Sequence, residues 1–241
     1  MSKPRPLAAI VLAAGEGKRF KSETPKVLHA LCGKPLLSYV LEALEPIDVA
    51  RTVVVVGRGA DEVKAATKQA TKRKLSFALQ DKQLGTADAA RVADDALGKF
   101  TGDVLILPGD SPLLTTDTLQ ALIEHHRDTR AAATVLTAEL DDPSGYGRIL
   151  RGRDGSVERI VEHRDATADE RKMKEVNTSV WVFDRAALRT ALTKIDRSNA
   201  QQEFYLTDVV TVLKDKGEPV EAYTAQDADE ALGANSRVEL A

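Results

Sequence analysis

A chain of 241 residues with a formal charge of −3, its acidic and basic residues interspersed, suits one large α/β domain burying roughly 70–75% of its unfolded surface. That balance speaks against a nucleic-acid stripe or a polybasic membrane patch, and the lone Cys32 forms no internal disulfide, as in a reducing compartment. No stretch approaches the ~20 apolar residues of a membrane span and the opening MSKPRP lacks a signal-peptide core, so a cytoplasmic protein without nucleic-acid or membrane partners is expected; oligomeric state is left open.

Residues 7 to 14 are all aliphatic, predicting one parallel strand covered on both faces. The run breaks into a loop where Ala14, Gly15 and Gly17 leave almost no side chain, and Lys18, Arg19, Lys21, Lys26 and Lys34 follow. Small residues and cations at the C-terminal end of an apolar strand are how an α/β sheet holds phosphates. Helical spacing over 36–45 and the run RTVVVVG (51–57) then give a strand–helix–strand crossover. A surface helix is predicted over 60–72 and a strand over 75–80; Gly85 and Thr86 mark a loop-to-helix junction with Thr86 as N-cap.

The next strand, 103–107, delivers PGDSPLL at its end, which puts Asp110 where a metal ligand or ribose acceptor stands. A helix (116–127) and a strand (131–140) follow. After Pro143 the texture changes: two short strands meet at an Asp154-Gly155 turn, predicting a smaller mixed sheet as one cleft wall. A strand (177–184), helices over 185–195 and 204–217, the latter closed by Gly217, and a late strand (219–224) complete the chain. The fold class is α/β, a Rossmann-like doubly wound, mostly parallel sheet with a smaller lobe. The whole chain, 1–241, reads as one domain, with a first half (7–142) and a smaller lobe with closing elements (143–241).

Two phosphate motifs fail at the loop. A Walker A pattern ending on Gly17-Lys18 needs Gly at Leu12 and Ser or Thr at Arg19, and a GxGxxG fingerprint needs Gly at Phe20. What stands there, LAAGEGKRF followed by Pro25-Lys26, resembles the signature of sugar-phosphate nucleotidyltransferases. With LQDKQLGTADA, PGDSPLL, DDPSGYGRI, IVEHRDAT, EVNTSVWVFD, NAQQEFYLTDVV and GANSRVEL in order, the chain from Leu7 to Leu240 resembles the uridylyltransferase domain of the bacterial bifunctional N-acetylglucosamine-1-phosphate uridylyltransferases.

The resemblance implies UTP and N-acetylglucosamine 1-phosphate as partners and Mg²⁺ as cofactor, with 7–142 as the nucleotide-binding half and 143–241 as the sugar-binding lobe and closing elements. Joining two polyanions needs charge neutralisation and in-line positioning above all. Arg19 and Lys26 are thereby implied against the triphosphate, and Asp110 and Asn235 as metal ligands. For the base it implies Leu12, Ala13, Ala14, Gly15, Gln80, Gly85 and Thr86, where a Gln amide both donates and accepts on a pyrimidine edge. For the sugar it implies Gly147, Glu162, Asn177, Tyr205 and Thr207. Taken singly these residues have plainer readings: Asp110 a turn former, Asn235 a helix cap, Gly147 a turn residue, Glu162 a solvated charge, Tyr205 a packed aromatic. Two further functions stay open, a sibling enzyme using another sugar phosphate or NTP and a catalytically silent nucleotide-sugar sensor.

His125 and His126 lack the spacing of a zinc pair and are expected to be exposed; His29 and Cys32 are expected to pack on one helical face, and Trp181 in the core or cleft wall. The chain departs from the resembled pattern at Lys18, Asp88, Pro108, Ser111 and Ser179, where Thr, His, Tyr, Val and Gly are customary. No hexapeptide repeat occurs, so no β-helix and no acetyl transfer are expected of this chain.

Overall fold

The computed structural model describes residues 5–234 and 240. Eleven strands and six α-helices alternate along the described chain: β1 (Leu7–Leu12), β2 (Ala30–Leu31), β3 (Lys34–Pro35), α1 (Leu36–Leu44), β4 (Arg51–Val56), α2 (Ala60–Ala70), β5 (Leu75–Leu79), α3 (Thr86–Ala96), β6 (Asp103–Pro108), α4 (Thr116–Thr129), β7 (Ala133–Glu139), β8 (Gly147–Arg151), β9 (Val157–Val161), β10 (Glu175–Asp184), α5 (Arg185–Leu192), α6 (Val209–Asp215) and β11 (Val220–Thr224). Nine of the strands form one sheet along the path β11-β7-β10-β6-β1-β4-β5, with β8 on β10 and β9 on β8.

Strands β6, β1, β4 and β5 run parallel to one another, as does β11 to β7. On this path only β10 inserts antiparallel, between β6 and β7; off it, β8 and β9 continue the antiparallel pairing. The aliphatic runs are explained by cover on both faces: Ala8, Ile10, Val53, Val55, Val104 and Ile106 belong to one core cluster, while Leu7, Ala9, Val11, Val54, Val56 and Leu105 belong to the other. Alternate residues of one strand thus enter opposite cores, and β1 has no polar face to spare.

The lobe expected after Pro143 is the β8–β9 hairpin, turned at Asp154-Gly155, with Gly155 at φ 81°. It hangs from the first part of β10 through Val176↔Arg148 and Asn177↔Gly147. A bulge between Asn177 and Trp181 lets the first part of β10 serve β8 and the second serve β6. Ser179 sits in that bulge at φ 66°, a left-handed conformation that costs an L-residue about 1–2 kcal/mol. Ser179→Gly is therefore expected to raise stability by about 0.5–1 kcal/mol after the extra unfolded-state entropy of glycine is subtracted. Urea unfolding reads the change, and a less stable variant contradicts the strain.

Several local expectations are corrected. Thr86 does not cap α3: Gly85 is the cap residue, and the Thr86 hydroxyl accepts the N–H of Leu206 at 2.9 Å. The 204–217 segment starts as extended chain at Tyr205 and becomes α-helical only at Val209, because Phe204 donates to Leu84 O (2.7 Å) and accepts from Ala87 N–H (2.9 Å). The Gly217 end does close as expected, at φ 73°. His126 is buried, its Nδ1 2.9 Å from Thr134 Oγ1; burial pushes its pKa down to about 4. Cys32 is exposed rather than packed, since Cys32 and Gly33, both at positive φ, form the turn between β2 and β3. His29 does pack, against Phe20 with ring centroids 4.5 Å apart, and Trp181 is core, stacked on Phe183 at 5.3 Å.

Candidate active site

The parallel strands β1, β4 and β6 end together, and the chain after β1 and β6 lines a cleft. Beyond Leu12 the backbone continues in register, Ala13 donating to Val55 O at 2.9 Å, and Gly109 after β6 donates to Leu12 O at 2.9 Å. Ala13 and Ala14 are buried, whereas Gly15 is exposed and an added Cβ there would meet nothing within 4 Å. The loop leaves an open approach to backbone at this point. Gln83 reaches back from beyond β5 to donate to Ala14 O at 2.6 Å, fixing that stretch.

The basic loop is anchored rather than loose. Phe20 is 1% exposed and belongs to a small cluster with Leu36 and Ala234, and its N–H donates to Gly17 O at 2.8 Å, so its neighbour Arg19 is aimed outward. Gly17 has φ 61° and a Cβ there would lie 2.8 Å from Lys26 Cβ: only glycine lets the two halves of the loop pass. Lys26 forms a close ion pair with Asp110 across the β1–β6 boundary, both side chains largely buried. Arg19 is exposed.

Glu162, directly after β9, lines three adjoining cavities. The first, of about 510 Å³, also holds Gly15, Arg19, Lys26, His163 and Arg164. The second, of about 130 Å³, holds Asp110, Gly147, Asn177 and Ser179. The third, of about 160 Å³, holds Leu12, Thr86, Asn177, Tyr205 and Thr207. Burial holds the Glu162 carboxyl above its usual range, against the pull of the Thr207 hydroxyl, which donates to Oε1 at 3.1 Å. Gly147 lies under it, its Cβ position 3.4 Å from Glu162 Oε2, and Asn177 accepts the Ser179 N–H at 2.9 Å. The Tyr205 hydroxyl donates to Asp165 and accepts from Gln201, and burial first of all raises its pKa to about 12. Asp208 is pushed up to about 6, by burial and then by Asp196 and Asp165. The cleft thus gathers Arg19, Lys26 and Arg164 at its loop end, with the carboxylates of Glu16 and Glu203 in the same cavity, and is acceptor-rich around Glu162, Asn177 and Thr207.

The structure therefore brings together Leu12, Gly15, Arg19, Lys26, Thr86, Asp110, Gly147, Glu162, Asn177, Tyr205 and Thr207 around that cleft. Ala13, Ala14, Gln80 and Gly85 line none of these three cavities; Ala13, Ala14 and Gly85 adjoin residues that do, and Gln80, 3% exposed, donates to Gly85, next to Thr86. Asn235 lies outside the described residues, although its neighbour Ala234 donates to Asp110 O at 2.9 Å. Sequence reasoning passed over Gln83, His163, Arg164, Gln201 and Glu203, which also line the first of these cavities. All five stand inside the quoted motifs LQDKQLGTADA, IVEHRDAT and NAQQEFYLTDVV, which was the signal that could have found them. A larger cavity, about 830 Å³, lies at the far end of β6 beside Asp103 and Asp184; Arg5 and Arg127 already hold those carboxylates, and none of the residues above reaches it.

A mostly parallel sheet with a basic, glycine-containing loop at the carboxyl end of a central strand is the architecture of nucleotide-binding α/β proteins. Residues 8–231 match the nucleotidyl transferase family, and the chain belongs to it. Among curated proteins it is similar to the bifunctional protein GlmU of Lactobacillus helveticus (49% identical, covering 96% of this chain and 50% of that protein), of Geobacillus thermodenitrificans (48%, covering 97% and 50%) and of Exiguobacterium sibiricum (47%, covering 97% and 51%). The chain spans about half the length of these relatives. Two solved structures share the fold: a putative glucose-1-phosphate thymidylyltransferase from Bacillus anthracis (TM-score 0.77, 20% identity, covering 97% of this chain and 92% of that one) and a UDP-glucose pyrophosphorylase complexed with UDP-glucose (TM-score 0.76, 15%, covering 98% and 97%). No helix of the described residues is long and apolar enough to cross a membrane.

Proposed function

We propose that this chain transfers a uridylyl group from UTP to N-acetylglucosamine 1-phosphate, giving UDP-N-acetylglucosamine and pyrophosphate. The observation that carries the reading is the gathering of Arg19, Lys26 and Arg164 on one side of the cleft and of buried hydrogen-bonding groups on the other, the two meeting at Glu162. Phosphates belong at the loop end, and the hydroxyls and acetamido group of a sugar belong among the buried acceptors of Glu162, Asn177 and Thr207. Similarity to the GlmU proteins over nearly the whole chain supports the particular substrates. A cytoplasmic location follows from where these substrates are found.

The sugar phosphate is the nucleophile. With a second pKa near ~6 it is mostly dianionic at neutral pH, so its oxygen attacks the α-phosphorus of UTP without a general base. The new O–P bond forms as the bond to the β-phosphate bridging oxygen breaks, and pyrophosphate leaves. Arg19 and Lys26 neutralise the charge that the two substrates bring together, Arg19 as a planar fork and Lys26 as a point charge. Ala13, Ala14 and Gly15 offer backbone to the nucleotide beside Leu12, with Gln80, Gly85 and Thr86 beyond it. A hard oxygen ligand in the cleft fits Mg²⁺, which takes few protein groups beside substrate phosphates; Asp110, with Asn235, would hold it. When bound, Mg²⁺ supplies further neutralisation of the phosphate oxygens.

Incubation with Mg²⁺, each NTP and a panel of sugar 1-phosphates, followed by pyrophosphate release, tests the reading. Turnover is expected with UTP and N-acetylglucosamine 1-phosphate and is expected to vanish when the metal is chelated. Another preferred pair makes the chain a sibling enzyme, and no release with any pair makes it a silent binder.

Sugar selection gives a sharper expectation. Leaving one hydrogen-bonding group of a closed pocket unpaired costs roughly 1–3 kcal/mol, about tenfold to a hundredfold in affinity. Glu162→Ala and Asn177→Ala are each expected to raise KM for N-acetylglucosamine 1-phosphate by that factor while KM for UTP moves little. The reverse pattern, UTP weakened and sugar phosphate unaffected, puts the sugar on the wrong side of the cleft.

A further inference from the structure

Gln80 directly follows β5, its N–H on Val56 O at 2.8 Å, and its side-chain nitrogen donates to two acceptors, Gly85 O at 3.0 Å and Asp88 Oδ2 at 2.9 Å. A primary amide turns over freely in a site whose neighbours both donate and accept. Here neither neighbour donates, since one is a carbonyl and the other a carboxylate in an ion pair. Turning the amide would set Oε1 against two other oxygens. Asp88 is itself held, its Oδ1 3.5 Å from Arg91 Nη1, while Arg91 donates to Leu192 O at 3.0 Å and lies over the Phe204 ring. Among the described residues no donor occupies Gln80 Oε1.

We propose that Asp88 is a positioning residue for base selection: with the Gly85 carbonyl it locks the Gln80 amide so that only an acceptor is offered to the base, and uracil is taken over cytosine. The inference rests on the UTP reading above. The pairing edge of uracil carries one donor, N3–H, between two carbonyl oxygens, so an acceptor-only group serves uracil at N3 alone. Cytosine presents a lone pair at that atom, and the two acceptors repel; its one donor on that edge, the exocyclic amine, stands a position away, where uracil has a carbonyl oxygen, so the discrimination requires the Gln80 oxygen at N3. The lock does not separate uracil from thymine, whose edge is the same.

The test compares kcat/KM for UTP and CTP, each with N-acetylglucosamine 1-phosphate, in the wild-type protein, Asp88→Asn and Asp88→Ala. Asn fills the space of Asp but also donates, so it lets the Gln80 amide turn toward cytosine; Ala removes one of the two acceptors. Both variants are expected to lower the UTP-to-CTP ratio about tenfold, the worth of one charge-assisted hydrogen bond, chiefly through a gain with CTP. A role in packing alone is met by the isosteric Asn, so a ratio in Asp88→Asn within twofold of wild type overturns the lock; should that variant not fold, the same limit applies to Asp88→Ala. Wild-type protein that turns over another NTP but not UTP removes the uridylyl reading itself, and the proposal with it.

Discussion

Arg19→Ala lowers kcat by about a hundredfold to a thousandfold, the usual cost of removing one donor aimed at developing negative charge, and raises KM for UTP by much less. The expectation follows from where the two cations stand. Lys26 is already engaged with Asp110, so its removal disturbs a largely buried carboxylate along with the phosphates. Arg19 stands exposed at the loop end of the cleft, and its backbone is held independently by the buried Phe20 beside it. Its substitution therefore reports on charge more cleanly. If the guanidinium acts mainly as the α-phosphorus changes partners, the loss lies in kcat and kcat/KM equally. Arg19→Lys is expected to restore part of it, a point charge replacing a fork. Steady-state pyrophosphate release decides the matter, and a rise in KM with unchanged kcat makes Arg19 a binding group only.

The largest stability effect is expected far from the cleft. Asp94 on α3 accepts from Arg185 Nε at 2.6 Å and from Arg189 Nε at 3.0 Å. The side chains of Asp94 and Arg185 are only 4% and 5% exposed, so Asp94→Ala strands a buried guanidinium, which costs about 3–5 kcal/mol. The lower end applies. Arg185 still donates to the carbonyls of Asp94 and Phe100, and the half-exposed Arg189 turns to water. The pair ties α3 to α5 beneath the sheet, so the mutant is expected to lose melting temperature while retaining kcat below its transition. Replacing both partners together, Asp94→Leu with Arg185→Met, is expected to recover most of the loss, because no charge is then left buried. A single mutant within about 1 kcal/mol of wild type shows that the helices do not depend on the pair.

Local patterning carried the elements well. Strands β1, β4 and β6 are legible because burial on both faces makes their centres run aliphatic, with polar residues only at the entry to β4 and β6, and the Asp154-Gly155 turn is legible because its glycine needs a positive φ. His126 was legible too and was misread: it continues the spacing of Leu119, Leu122 and Ile123, the inward face of α4, so its helical period outweighs its polarity. Thr86 was misread for a different reason. A hydroxyl at a helix start suits a cap in local terms, and only the arrival of Leu206, 120 residues later, shows what it accepts.

The sequence by itself determined the α/β class, the order of the strands and helices along the chain, the basic glycine loop and, through its motifs, the family. These depend on periodicity and on short runs of residue types, which neighbours in the chain are enough to define. Tertiary structure alone decided that β10 enters the sheet antiparallel between β6 and β7, that its bulge at Ser179 carries the β8–β9 hairpin to the cleft, and that Lys26 meets Asp110. It also decided that Gln80 is gripped by Asp88 and Gly85. Each of these depends on which way a strand or side chain turns relative to partners fixed by the packing of the whole sheet, and the local run of residues is compatible with more than one such choice.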